Sequence, residues 1–400
     1  VDFTRSYDLV AITVETFAAL RAYQIASEFR RRGVKVLLGG FHPTLLPEEA
    51  GRFCDILGLG EVEEVWPSVI ADLKNGNLQR VYRSQGSGLQ NFKCDRSIYK
   101  NRRYLPVSLI ETSRGCRFNC NFCSVSSFYR NGVFHRPVSD VVAEIAGLHN
   151  RFVFFADDNI VAHPEQARQL FSAIRPMNIW WASQASLTSA VDEHFLDEMA
   201  NSGCVAAVIG LESINPANLQ DMNKGWSASL GQVEKLLDAY RQRKIMIYAT
   251  FVFGYPHDTL ASIKETVDFA LAQKLFMANF NMLLPFPGTP VYNELLAQNR
   301  MIYPKWWMDR DYSWELPAFK PIGMTPEELA HAVSSARHRF TSFSGMFKRA
   351  GDLSANLSGP FKALLFLAAN WISRRDIMKK TGMHPGFSGC ELYEKEASGL

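Results

Sequence analysis

The sequence predicts an α/β protein in four parts. A Rossmann-like unit spans residues 1–80, a linker 81–105, an open partial (βα)6 barrel 106–292, and a helical, aromatic-rich extension 293–400. Three observations predict this. Short apolar runs alternate with amphipathic helical patterns between residues 8 and 75, as in a parallel sheet with helices on its faces. The rhythm resumes at Pro106 and repeats six times, too few units to close an ordinary eight-stranded barrel. After "PFPGTPVY" (285–292) the rhythm stops and aromatic loops and helices take over.

In the first unit "DLVAIT", "VKVLLGG" and "DILGLGE" read as strands. The helical patterns between and after them are "TFAALRAYQIASEFRRRG", which stops at Gly33, then "PEEAGRFC" and "EVWPSVIADLKNG". Val1 rather than Met opens the chain and a strand follows almost at once, so this unit is expected to be incomplete at its amino end. In the barrel the expected strands are "VSLIETS", "RFVFFADD", "IWWASQA", "VAAVIGLE", "IMIYATFVFG" and "MANFNMLLP". Helices are expected near 138–149, 164–174, 192–202, 228–242 and 258–273. In the extension, Thr325 and Pro326 mark a helix start by cap and first-turn proline.

Composition excludes several classes. A net charge of +3 on 400 residues is too small for a nucleic-acid footprint. No signal peptide is expected from the opening residues, and the longest apolar run, "FKALLFLAANWI" (361–372), is too short to span a bilayer. Seven cysteines, three of them clustered, fit a reducing cytoplasm better than a secreted disulfide framework.

The cluster is Cys116, Cys120 and Cys123, three thiols in eight positions just after the first barrel strand, at the end where barrels carry their chemistry. Clustered thiolates hold zinc or an iron–sulfur cluster. A structural zinc site needs a fourth ligand, for which only His135 is at hand, without knuckle spacing. Ferredoxin spacing needs a fourth nearby cysteine, which is also missing. A cubane held by three cysteines leaves one iron open to a chelating substrate.

These residues, Cys116-Arg117-Phe118-Asn119-Cys120-Asn121-Phe122-Cys123, resemble the C-x3-C-x-aromatic-C signature of the radical SAM superfamily. The resemblance implies a [4Fe-4S] cluster on Cys116, Cys120 and Cys123, S-adenosylmethionine (SAM) on the open iron, and a 5′-deoxyadenosyl radical on reduction by a flavodoxin or ferredoxin. It further places Phe122 beside the adenine, Asp157 and Asp158 of "FFADDN" near the SAM amino group, and Glu212 of "VIGLES" at the ribose or the ammonium. Ser183 and Gln184, which end the third strand, are weaker polar candidates. Gly254 and Gly288 read as turn glycines and His257 as a surface histidine.

The first unit resembles the cobalamin-binding domain fused to one branch of that superfamily, on "GGFHPT" and "GLGEVEE". The resemblance makes Thr13, Gly39, Gly40 and His42 candidate cobalamin contacts. The Asp-x-His-x-x-Gly motif that supplies an axial histidine in many such domains is not in this sequence. Asp192-Glu193-His194 lacks the glycine and falls in a barrel helix. A missing amino-terminal segment or a branch without that histidine would each account for this.

The resemblance thus implies a cobalamin-dependent methyltransferase acting at an unactivated carbon of a small molecule. A cyclase or rearrangement enzyme of the same architecture is the alternative, and a non-catalytic iron–sulfur or cobalamin regulator is a third. The methylthiotransferase branch fits worse, because neither extra amino-terminal cysteines nor an RNA-binding tail is visible. Trp306, Trp307 and Trp314, with segment 361–372, permit a hydrophobic substrate, although core packing explains them as well.

Overall fold

The structure, a computed structural model, describes residues 1–84, 86, 89, 94–99, 104–229, 232–386 and 392–394. Strands β1 (Leu9–Thr13), β2 (Lys35–Gly39), β3 (Ile56–Leu59) and β4 (Val81–Arg83) form a parallel sheet in that order. β4 falls in the expected linker, where three residues among polar neighbours give no usable periodicity. It pairs Leu57 with Val81 and Leu59 with Arg83. Much of the remaining linker (85, 87–88, 90–93 and 100–103) lies outside the described residues.

The second sheet contains β5 (Ser108–Ile110), β8 (Phe152–Phe155), β9 (Trp180–Ala185), β10 (Cys204–Glu212), β11 (Met246–Phe253) and β12 (Met277–Met282). All six are parallel, in the order β12-β11-β10-β9-β8-β5, with open edges at β5 and β12. This is the expected partial barrel. Between β5 and β8 an antiparallel ribbon, β6 (Ser113–Gly115) with β7 (Val133–His135), brackets the cysteine loop.

Caps fix the helices where the sequence places them. Thr325 and Glu328 form a reciprocal capping box with Pro326 in the first turn, and Thr259 and Ser262 form another. Asp192 caps helix Glu193–Asn201 by accepting hydrogen bonds from the backbone N–H groups of His194 and Phe195. That engagement accounts for the Asp-x-His pair.

The strand alternation divides the six-stranded sheet between two environments. Trp181, Ala207, Ile209, Ile247, Ala249 and Phe251 face the helical layer and form the main core. Ala182, Ala206 and Met246 face the other way, against Phe366 of helix Pro360–Lys380. The extension also completes the first unit. Trp306 and Trp307 are buried in the core formed by helix Ala19–Arg31 and strands β2 and β3.

Glu49 joins the two parts. Its Oε1 accepts from Trp307 Nε1 at 2.7 Å and lies 3.2 Å from His42 Nε2, while Oε2 pairs with Lys305 at 2.9 Å. Burial alone would raise its pKa, but the hydrogen bonds from His42, Lys305 and Trp307 outweigh it and hold the group at about 2. A carboxyl depressed on folding stabilises the native state above its unfolded pKa, and that contribution is lost as pH falls toward the folded value. Glu49→Gln is therefore expected to cost roughly 3 kcal/mol at neutral pH, shrinking from about pH 4.5 downward and vanishing near pH 2. Urea unfolding of both forms across that range checks it. A penalty independent of pH would contradict the assignment.

Candidate active site

The three cysteines sit on the loop between β6 and helix Ser124–Tyr129, all partly buried. Both ends of the loop are fixed by specific contacts. Gly115, at φ +89°, precedes the first cysteine, and a Cβ there would stand 2.1 Å from the Gly132 carbonyl oxygen. Only glycine allows the ribbon to close at this point. Asp158 Oδ2 accepts from the Gly115 N–H at 2.8 Å. Asp157 accepts from Thr112 N at 2.7 Å, from the Thr112 hydroxyl, and from Ser113 Oγ at 2.8 Å.

At the far side Asn121 hydrogen-bonds to the Asp221 carbonyl and to the Tyr255 hydroxyl, both at 2.7 Å. Phe118 stacks on Trp226 with ring centroids 3.9 Å apart. Arg114 ties the loop to the first unit, meeting Glu61 and Glu63 of "GLGEVEE" at 2.8 Å each and Glu111 at 2.9 Å. Tyr129 OH donates to Glu61 Oε1 at 2.5 Å, and Phe41 stacks on Phe128 at 4.2 Å. The carboxyl ends of both sheets thus face each other across the cysteine loop.

Burial pushes the Cys120 thiol up to about 12; Lys224 opposes the rise, while Cys123, Glu212 and Cys116 add to it. Burial raises Cys123 as well. Such thiols ionise at neutral pH only when a bound cation stabilises the thiolates. Among the described residues no three His, Cys, Asp or Glu side chains converge tightly enough for a single metal ion. His135 is not grouped with the cysteines, since no set of three metal-ligating side chains among the described residues could hold a metal ion; its ring lies 5.3 Å from that of His163. Three thiols on one short loop are the donor type that a polynuclear iron–sulfur cluster uses. Asn159 Nδ2, 3.6 Å from Cys116 Sγ, is placed to donate to the sulfur.

The structure redistributes the other expected site residues. Asp157 is fully buried and both its oxygens are engaged, so it locks the stem of the loop rather than facing a ligand. Burial lifts its pKa to about 6 against the pull of those hydrogen bonds. Asp158 is only partly buried and bonds through one oxygen, which leaves the other for a ligand. Ser183 is fully buried on the helix-facing side and donates to the Phe155 carbonyl at 2.9 Å. Its neighbour Gln184 points to the opposite face and is exposed, because side chains alternate along a strand.

Glu212 ends β10 in the left-handed region, φ +63°. Its Oε1 meets Lys224 Nζ at 3.0 Å and its Oε2 accepts from Thr250 Oγ1 at 3.3 Å. A Cβ on Gly210 would lie 2.1 Å from that Oε1, so the glycine two residues earlier makes room for the carboxylate. Lys224, buried and also bonded to the Gly210 carbonyl at 2.8 Å, was not legible in the sequence. Neither were Asn159, Asn121, Tyr255 and Thr250, because their roles arise from contacts between distant segments.

At the first sheet, Thr13 is exposed at the end of β1, and a Cβ on Gly40, at φ +97°, would stand 3.0 Å from Thr13 Cγ2 and 3.1 Å from Val14 N. Gly39 ends β2 beside the Gly58 carbonyl. His42 is instead fully buried between Thr16 and Glu49.

A cavity of about 230 Å³ opens where the three parts meet. Phe122 from the cysteine loop, Phe17 from the first unit, Leu284 and Phe286 beyond β12, and Trp314 from the extension line it. A second cavity of about 440 Å³ adjoins it, sharing Asn281, Trp314, Glu315 and Arg337, and reaches helix Pro360–Lys380. Arg337 and Glu315 pair at 2.7 Å where the two meet.

Residues 110–270 match the family described as the Radical SAM superfamily. The bacteriochlorophyllide d C-12(1)-methyltransferase of Chlorobaculum tepidum is 30% identical to this chain over 362 residues, covering 87% of the chain and 77% of the relative. The chain belongs to the radical SAM superfamily. The bacteriochlorophyllide d C-8(2)-methyltransferase of the same organism is 27% identical over 76% of the chain and 72% of the relative. Among solved structures, the radical SAM methyltransferase TsrM of Kitasatospora setae, with cobalamin and a [4Fe-4S] cluster bound, shares the fold at a TM-score of 0.60 and 19% identity. That match covers 84% of this chain and 72% of that one. The part of this radical SAM enzyme matched to the family includes the cysteine loop, Asp157, Asp158, Glu212 and Tyr255. No helix among the described residues is long and apolar enough to cross a membrane.

Proposed function

We propose that this enzyme is a cobalamin-dependent radical SAM methyltransferase that methylates an unactivated carbon of an apolar small molecule. The reading places it in the cytoplasm with a flavodoxin or ferredoxin as electron donor. The observation that carries it is the cavity where Phe122, Phe17 and Trp314 meet. A methyl transfer of this kind needs the SAM loop, the cobalamin unit and the substrate at one place, and residues 1–80, 106–292 and 293–400 each contribute a wall. Two relatives named for methylation of bacteriochlorophyllide d favour methyl transfer over cyclisation.

When bound, the cluster would supply reductive cleavage of SAM, and cobalamin would carry the methyl group. Cys116, Cys120 and Cys123 would hold the cluster. Phe122 would flank the adenine, while Asp158, Gln184 and Glu212 would orient the polar parts of SAM. Thr13, Gly39 and Gly40 would border the cobalamin. The aromatic walls would exclude water from a reactive radical.

Lys224 and Thr250 hold the Glu212 carboxylate in place. Glu212→Gln keeps an acceptor for Lys224 but removes the charge offered to SAM, so SAM affinity is expected to fall about tenfold, the loss of one charge-assisted contact. Equilibrium binding to the anaerobically reconstituted protein, with melting temperature as control, measures it.

Anaerobic incubation with methyl-labelled SAM, a reductant and candidate substrates tests the function. Formation of 5′-deoxyadenosine together with a labelled methyl on the product is expected. Deoxyadenosine without mass gain would favour a cyclase, and no deoxyadenosine from a cluster-loaded protein would leave a binding role.

A further inference from the structure

We propose that the two helices Phe343–Ala350 and Pro360–Lys380 dock the enzyme on an anionic membrane surface without crossing it. Helix Pro360–Lys380 is apolar on both sides. Inward, Phe366 and Asn370 are buried against the barrel. Outward, Leu364, Leu367 and Trp371 recur at helical spacing and remain 53–67% exposed. On the neighbouring helix, Phe343 and Phe347, one turn apart, are 65% and 83% exposed.

The two surfaces form one patch. The helices are tied at two points in antiparallel sense: Arg374 lies over the Phe343 ring at 4.5 Å, and Arg349 bonds Asn370 at 2.8 Å. Phe347 therefore falls between these points, alongside the turn that carries Trp371. Exposed aromatic and leucine side chains in this number are not solvated gratuitously.

Charge identifies the occupant. Lys348, Arg375 and Lys379 are exposed on these helices and Arg374 is half-buried, against Asp376 as the exposed acid. A basic rim around Trp, Phe and Leu is the composition that binds headgroups and buries its apolar face at the acyl boundary. A second copy would bring the same basic rim against itself. The chain's own tail leads elsewhere: His384 contacts the Tyr312 carbonyl at 3.0 Å, and Tyr393 N donates to Ser27 Oγ in the first unit.

The inner side of the same helix explains why such a face would serve the enzyme. Ala369, Ile372, Ser373 and Ile377 line the larger cavity, which adjoins the one at Phe122. A substrate partitioned into the bilayer would meet the mouth of that cavity at the surface where it resides.

The test is co-sedimentation of the reconstituted protein with phosphatidylglycerol-containing and with pure phosphatidylcholine vesicles. Binding to the anionic vesicles alone, weakened by salt, is expected. The exposed-residue variant Phe347→Ser/Trp371→Ser should lower partitioning at least tenfold. Arg375→Gln/Lys379→Gln should lower it several-fold, and both should keep the wild-type melting temperature and substrate-free SAM cleavage. Absence of binding to anionic vesicles would overturn the proposal, as would unchanged binding by both variants. So would a dimer that dissociates when Phe347 and Trp371 are replaced. None of these readouts depends on methyl transfer, so the docking proposal can fail while the proposed activity stands.

Discussion

Alanine at Cys120 is expected to abolish the visible iron–sulfur absorbance of the reconstituted protein and to reduce 5′-deoxyadenosine formation below detection. The proposed ligand set is three thiols with no fourth cysteine on the loop, so the loss of one is not expected to be compensated. The fold should survive, because the loop is held by contacts that do not involve the sulfur. Asn121 bonds Asp221 and Tyr255, Phe118 stacks on Trp226, and Asp158 holds Gly115. The melting temperature of the metal-free protein should therefore change little. Asn159→Ala offers a graded comparison. It removes only the donor 3.6 Å from Cys116, and supporting contacts of this kind are typically worth about 10–100-fold in affinity or activity. Iron and sulfide content per chain, read beside deoxyadenosine yield, separates the two cases. Full cluster content in Cys120→Ala would show that the ligand set has been misread.

The barrel and the cluster were legible in the sequence because each depends on local pattern. Six apolar runs at βα spacing and a cysteine triplet need no knowledge of the fold. What escaped depends on which face a residue takes or on a distant partner. Ser183 and Gln184 are neighbours at a strand end, and only the sheet decides that Gln184 looks away from the helical layer while Ser183 bonds the Phe155 carbonyl. Asp157 and Asp158 read alike, yet one is consumed by Thr112 and Ser113, 45 and 44 positions away. His42 lies in a glycine loop that suggests a ligand, but Glu49 and Thr16 take it into the core. The tryptophans divide in the same way. Trp306 and Trp307 pack into the first unit, and Trp314 alone of the three lines the cavity. β4 was missed for a simpler reason: three residues carry too little pattern to mark a strand.

Arg349→Met is expected to destabilise the protein by about 1–3 kcal/mol, the range for leaving buried hydrogen-bonding groups unsatisfied. The guanidinium is fully buried, and among the described residues no carboxylate pairs with it. It stays in place because acceptors surround it: the carbonyls of Phe276 at 2.8 Å, Phe340 at 3.1 Å, Gly345 at 3.2 Å and Leu275 at 3.3 Å, and Asn370 Oδ1 at 2.8 Å. The Phe340 ring lies 3.9 Å from its central carbon. Burial pushes its pKa down to about 9, which still leaves the group charged at neutral pH. Methionine fills a similar volume but withdraws the Arg349 donors from Asn370 Oδ1 and from the Phe340, Gly345 and Leu275 carbonyls, while the Phe276 carbonyl keeps Asn370 Nδ2 at 3.2 Å. The cost therefore exceeds that of lost packing. Arg375→Met, on the exposed side of the same helix, should stay within about 0.5 kcal/mol of wild type. Urea midpoints of the two variants give the comparison. A loss below about 1 kcal/mol for Arg349→Met would mean that the extension is held to the barrel mainly by Phe366 and its apolar neighbours.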